Sequence, residues 1–129
     1  MKLILTVGLP RSGKTTWARK QGVPMVNPDS IRLALHGKPF IPESEGFVWA
    51  IAFVMAKALF LSGHLVVIID ATNTTEKRRN EWVRKFQDCR ISFEEFKTSK
   101  EECIKRANES GTEFLIPIIE RMADNYEAV

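Results

Sequence analysis

Eight residues near the amino terminus, Gly8-Leu9-Pro10-Arg11-Ser12-Gly13-Lys14-Thr15, constrain this chain more than any other stretch. They fit G-x-x-x-x-G-K-[ST], the Walker A phosphate-binding loop. The flanks agree with it. Lys2-Leu3-Ile4-Leu5-Thr6-Val7 is apolar and β-branched and predicts a buried strand; Thr15 to Lys20 predicts a helix. A polyphosphate is a dense anion, and the main-chain N–H groups of such a loop, with the positive end of the following helix, can surround it. Gly8 and Gly13 lack a Cβ, which permits the tight path and the close approach. In this pattern Lys14 reaches the β- and γ-phosphates of a nucleoside triphosphate, and the Thr15 hydroxyl ligates the bridging magnesium ion. The expected nucleotide-binding set is Gly8, Pro10, Arg11, Ser12, Gly13, Lys14, Thr15 and Thr16.

Length favours one domain: residues 1–129 are expected to form a single P-loop domain. With 44% apolar and 27% charged residues, the composition is that of a soluble globular protein. The net charge of +3 suits an anionic substrate without singling out nucleic acid. Cys89 and Cys103 have no C-x-x-C spacing, so a disulfide framework or cysteine metal site is not expected, and a cytoplasmic location with reduced thiols is. The amino terminus runs straight into the first predicted strand, so no signal peptide is expected. The longest apolar stretch, Phe47 to Leu61, is interrupted by Lys57 and reads as too short to span a membrane.

Along the chain, Val23 to Asn27 predicts a second strand, followed by a helix over Pro28 to His36 capped by Asp29 or Ser30. Gly37 to Pro42 reads as a loop with two prolines. Phe47 to Leu61, apolar almost all round, predicts a buried helix ended by Ser62-Gly63. Leu65 to Ile69 predicts a central parallel strand that stops at Asp70. A loop over Ala71 to Thr74 leads to a helix over Thr75 to Gln87 with Trp82, Val83 and Phe86 inside. Ile91 to Phe96 alternates like an edge strand. Ser99, with Glu102 as a capping box, opens a helix to Asn108, and a last helix covers Pro117 to Tyr126. Alternating strands and helices predict an α/β doubly wound P-loop fold of about four to five parallel strands, with helices on both faces.

Ligands of such sheets bind at the carboxyl ends of the strands. Three polar groups fall there: the glycine loop, Asp29 and Asp70. Asp70 reads as a magnesium-holding carboxylate or as a loop cap. Asp29 reads as a general base for an acceptor hydroxyl or as a helix cap. Arg32, three residues on, shares a helix face with Asp29 and either serves the acceptor or forms a surface ion pair. Arg106, near a helix end, either stabilises the transferring phosphoryl group or compensates the helix dipole. The basic run Lys77-Arg78-Arg79 with Arg84 and Lys85 reads as a solvated helix face rather than a nucleic-acid patch. Trp17, Trp49 and Trp82 read as core.

Taken together, these pieces resemble the kinase domain of phage polynucleotide kinase and the small P-loop kinases around it. The matching stretches are Gly8 to Arg19, Val26 to Arg32, Asp70-Ala71-Thr72-Asn73 with Lys77-Arg78-Arg79, and Ile104-Lys105-Arg106 with Gly111-Thr112 and Pro117. The resemblance implies transfer of the γ-phosphate of ATP, with magnesium, to the 5′-hydroxyl of DNA or RNA. By position it makes Asp29 the base, Arg32 its acceptor-side partner, Lys14 and Thr15 phosphate and magnesium ligands, Thr72 and Asn73 acceptor-side residues, and Arg106 a lid arginine. The chain departs from the phage enzyme at Ser110, where a second lid arginine is expected, and Asp70 sits one residue earlier relative to Thr-Asn. No phosphatase domain is expected to follow. A kinase of nucleosides or other small hydroxyl metabolites, and an ATP-binding module without transfer activity, are the alternatives.

Overall fold

The computed structural model describes residues 1–37 and 40–129; the expected loop over Gly37 to Pro42 therefore lies partly outside the described residues. Four strands, β1 (Lys2–Val7), β2 (Met25–Val26), β3 (Val66–Ile69) and β4 (Arg90–Glu95), form one sheet in the order β2-β3-β1-β4. Every pairing is parallel: Lys2 to Leu5 lie beside Val66 to Ile69, and Lys2 to Val7 beside Arg90 to Glu95. The two strands with unbroken apolar runs are therefore the interior ones, as burial on both faces requires. The second strand is shorter than its apolar stretch suggests. Only Met25 and Val26 pair, because Pro24 supplies no N–H, although its carbonyl accepts from Ile68.

Among the described residues six α-helices flank the sheet: α1 (Lys14–Lys20), α2 (Pro28–His36), α3 (Glu45–Leu61), α4 (Glu76–Lys85), α5 (Lys100–Glu109) and α6 (Ile116–Asp124). The larger core packs Val48, Ala52 and Ala56 of α3 and Trp82 and Phe86 from the α4 segment against Leu3, Leu5, Val67 and Ile69. Trp82 anchors an aromatic cluster, with Phe53 at 4.2 Å and Phe86 at 5.8 Å between ring centroids. A smaller cluster gathers Leu9, Cys103, Ala107 and Ile119 beneath α5 and α6. Both cysteines are free thiols.

The starts of α2, α4 and α5 follow local capping chemistry, with one correction. Asn27, not Asp29 or Ser30, caps α2: its side-chain oxygen accepts from the Ser30 amide at 3.1 Å, and Pro28 takes the first helical position. Thr75 caps α4 and Ser99 caps α5, as their hydroxyls suggest. The Glu102 carboxylate accepts from Arg106.

Three further expectations change. The helix α3 is not buried: only Val48, Ala52 and Ala56 are, while Phe47 is 71% exposed, Val54 66% and Leu61 87%. Together with the preceding 3-10 turn it runs over Pro42–Leu61, long and apolar enough by length and composition to cross a membrane. Uniform apolarity fixed the helix but carried no information about which face meets the sheet. In α4, Val83 is exposed, since Trp82 and Arg79 take the inner positions. Arg79 is not part of a solvated face. It is buried and donates to the Asn73 carbonyl at 2.9 Å.

Candidate active site

Parallel strands bring their carboxyl ends to one edge, and β1, β2 and β3 each deliver a polar group there. The turn after β1 is braced from both sides. Gly8 N–H donates to the Thr72 carbonyl at 2.9 Å, Phe96 N–H donates to the Val7 carbonyl at 2.7 Å, and the Thr98 hydroxyl donates to the Ser12 carbonyl at 2.9 Å. Thr6 adds a staple between strands: its hydroxyl donates toward the Ala71 carbonyl at 2.8 Å and accepts from the Ala71 amide at 3.1 Å. The loop is therefore held in its shape by its surroundings.

Two glycines are required within it. A Cβ on Gly8 would lie 2.7 Å from Ser12 Oγ and 3.1 Å from the Phe96 backbone oxygen, so only glycine fits. Gly13 has φ of 102°, a left-handed conformation that side chains resist. Arg11 also sits at φ 68°, a strained value for a non-glycine residue, and its carbonyl accepts from Arg106 at 3.1 Å. Pro10 is half-buried and Ser12 buried. The first turn of α1 leaves its N–H groups without partners four residues back, the arrangement that receives an anion. Thr16 lies exposed on that turn.

Lys14 is 7% exposed and curls back over the loop, donating to the Leu9 carbonyl at 2.6 Å and to Ser12 Oγ at 3.3 Å. Burial pushes its pKa down to about 8; the charges of Asp70, Cys103 and Asp29, in that order, oppose the shift. Asp70 is buried at the end of β3. One of its oxygens, Oδ2, accepts from the Thr15 hydroxyl at 2.8 Å and from the Asn27 amide at 2.9 Å.

The side that carries Asp29 has a different construction. Asp29 is exposed, with 77% of its side chain open. Its Oδ1 accepts from the Arg32 guanidinium at 2.7 Å. Arg32 is itself gripped by Glu45, with Nε to Oε2 at 2.9 Å and Nη2 to Oε1 at 2.6 Å. Burial works against the Arg32 charge, but the Glu45 bridge and then Asp29 outweigh it and hold its pKa above the ordinary value. The result is a carboxylate–guanidinium–carboxylate chain from α3 to α2.

Arg106 reaches the loop from α5. Its Nε donates to Glu102 at 3.2 Å while its other arm holds the Arg11 carbonyl. Ser110, at the position of the expected second lid arginine, bonds its hydroxyl to the Arg106 carbonyl at 2.8 Å and to Thr112. Thr72 is half-buried, and its carbonyl serves Gly8. Asn73 is a correction. At 1% exposure it faces the interior, and its amide donates to the Thr6 carbonyl at 2.9 Å, so it braces the site rather than lining the acceptor space. Asn73 adopts φ 45°, the left-handed region that asparagine tolerates.

The sequence reading missed Glu45 and Asn27. Glu45 lies 13 residues beyond Arg32, and no spacing rule links them. Asn27 could have been found, since an asparagine directly before a proline at a helix start is a standard cap.

With the geometry in place, the comparisons with known proteins fall into line. Residues 3–127 match the family described as an AAA domain. The chain belongs to that family. Its fold is that of the P-loop kinases. Among solved structures it is similar to a chain of the Pnkp1/Rnl/Hen1 RNA repair complex, with a TM-score of 0.75 and 25% identity over 98% of this chain and 46% of the other. A second structure of that complex gives 0.75 and 33% identity over 81% and 38%. This AAA-domain chain thus spans less than half the length of those two. It also has the fold of a gluconokinase from Sinorhizobium meliloti 1021, with a TM-score of 0.65 and 16% identity over 98% of this chain and 75% of that one. The APS kinase CysC of Mycobacterium tuberculosis, in complex with AMPPNP and APS, gives 0.65 and 18% identity over 84% and 69%.

Proposed function

We propose that this protein transfers the γ-phosphate of ATP to a hydroxyl acceptor, the preferred acceptor being the 5′-hydroxyl of a polynucleotide. The observation that carries the proposal is the Asp29–Arg32–Glu45 chain on the helix that follows β2, at the same carboxyl edge of the parallel sheet as the phosphate loop. Arg32 occupies Asp29 Oδ1, which leaves Oδ2 to take the acceptor proton as the hydroxyl oxygen attacks phosphorus. Lys14 lies ready to exchange the Leu9 carbonyl and Ser12 hydroxyl for phosphate oxygens. Arg106, already on the loop, adds charge to the transferring group.

The donors around Thr15 suit a magnesium ion. The Thr15 hydroxyl and the Asp70 carboxylate meet at 2.8 Å and form an oxygen-only pair, which a hard cation prefers. Among the described residues no group of three or more histidine, cysteine or acidic side chains could hold a metal, so phosphate oxygens and water would complete the shell. Magnesium bound there would neutralise triphosphate charge. The protein's own contribution is positioning and a fixed field, which dominate phosphoryl transfer.

Likeness to chains of an RNA repair complex supports a polynucleotide acceptor. One observation favours a small-metabolite acceptor instead. Two of the five cations in the basic run of α4 are committed within the chain, because Arg79 is buried and Arg78 pairs with Glu81 at 3.0 Å and lies over the Trp49 ring. Incubation with γ-labelled ATP decides between them. Label on a 5′-hydroxyl oligonucleotide, with weak transfer to nucleosides and sugars, is the expected result. The reverse pattern rejects the polynucleotide, and no transfer to either class leaves an ATP-binding module.

A further inference from the structure

The helix α3 carries a second apolar face that the fold does not use. Its sheet side, Val48, Ala52 and Ala56, is buried, yet directly opposite stand Phe47, Val54 and Leu61, all more than half exposed, with Ala50 and Ala58 between them. A large exposed apolar strip on a regular helix marks a contact surface rather than ordinary surface scatter.

We propose that this face is the interface of a two-fold dimer, a second copy of the chain packing its own α3 across Val54. The pattern is self-complementary about that residue. Phe47 and Leu61 lie seven positions to either side of Val54, and the small Ala50 and Ala58 lie four to either side. Alanines flanking a crossing point let two helices approach closely, with rows of residues four apart interleaving. In the antiparallel arrangement Phe47 of one copy meets Leu61 of the other, large side chains filling the ends while small ones form the centre. Lys57, the only cation on α3, stays out of this contact. Its ammonium leans over the Phe86 ring of its own chain at 5.3 Å, clear of the seam.

The area is adequate. The exposed apolar side chains of this face offer on the order of 600 Å² per copy, at the lower end of what each partner gives to a specific interface. A reversible dimer follows, and not an obligate one. The interface is isologous, as two-fold dimers require.

Sedimentation velocity over a wide concentration range tests this with the full chain. The wild type shifts from monomer to dimer as concentration rises. Val54→Glu and Val54→Lys each place like charges on the axis and weaken association by at least a hundredfold; their equimolar mixture restores it, because the unlike charges meet. Since Val54 is mostly exposed, both variants keep the wild-type circular dichroism spectrum. A wild type that stays monomeric overturns the proposal, as does a dimer indifferent to Val54→Glu or a mixture that does not associate. Flotation of a monomeric wild type with phosphatidylcholine–phosphatidylglycerol vesicles, lost in Val54→Glu, overturns it in favour of a lipid-facing helix.

Discussion

The two sides of the cleft are built on opposite plans. The donor side is main chain and buried side chains, braced by Thr72, Thr98 and the Thr6 staple, and its lysine and aspartate are almost sealed from water. The acceptor side is a string of ion pairs ending in an open carboxylate. In the proposed reaction the triphosphate takes the rigid, preformed side, and an acceptor that must enter and leave takes the open one, where Asp29 would serve as the base steered from behind. The difference teaches that orientation of Asp29 depends on a residue far from it in sequence, while orientation of Lys14 depends on its neighbours.

The sharpest way to break that contrast is Asp29→Asn. Phosphoryl transfer falls by about a thousandfold, within the range for a lost general base, while ATP affinity measured by calorimetry is unchanged. Lys14→Met does the reverse. ATP affinity drops by roughly a hundredfold, and the free protein becomes more stable by about 1–3 kcal/mol in urea melts, because a buried ammonium is replaced by an apolar chain of similar length.

A third experiment varies pH. With its pKa pushed down to about 8, Lys14 is charged in the free protein below that value and neutral above it. Phosphate favours the charged form, so ATP affinity is constant below pH 8 and falls up to tenfold per pH unit above it, with proton uptake on binding. Stability of the free protein moves the other way. Between pH 8 and 10.5 the unfolded chain holds a proton that the folded chain has lost, so stability rises across that window. Glu45→Gln comes next in size: Arg32 loses its charged anchor, and the turnover number falls about tenfold while the KM for ATP stays fixed, an effect that Arg32→Lys reproduces. Smallest is Ser99→Ala, which removes the α5 cap beneath Arg106 and costs about 1 kcal/mol of stability.

How much of this was readable beforehand follows the same divide. Gly8 to Thr15 is a contiguous pattern with a fixed geometry, so loop, strand and helix were all legible, and Asp70 was placed by the end of an apolar run. Asp29 and Arg32 were legible as a pair on one helix face. Glu45 was not, since it opens a different helix, and sequence distance says nothing about such a meeting. The α3 face was misread for a related reason. Apolar residues all round specify that a helix must be covered, not by what, and here its own sheet covers only one side. Arg79 was misread as solvated because a basic residue within a charged helix gives no sign that a backbone carbonyl waits for it.

Asn27 has two ends with different obligations. Its carbonyl oxygen holds the start of α2, the helix that carries Asp29 and Arg32, and its amide holds the same Asp70 oxygen that Thr15 reaches. A cation that draws on that oxygen competes with the amide, and whatever displacement results is delivered to the first turn of α2. In the proposed reaction, loading the phosphate side would thereby reach the aim of Asp29, through a single side chain only four atoms deep.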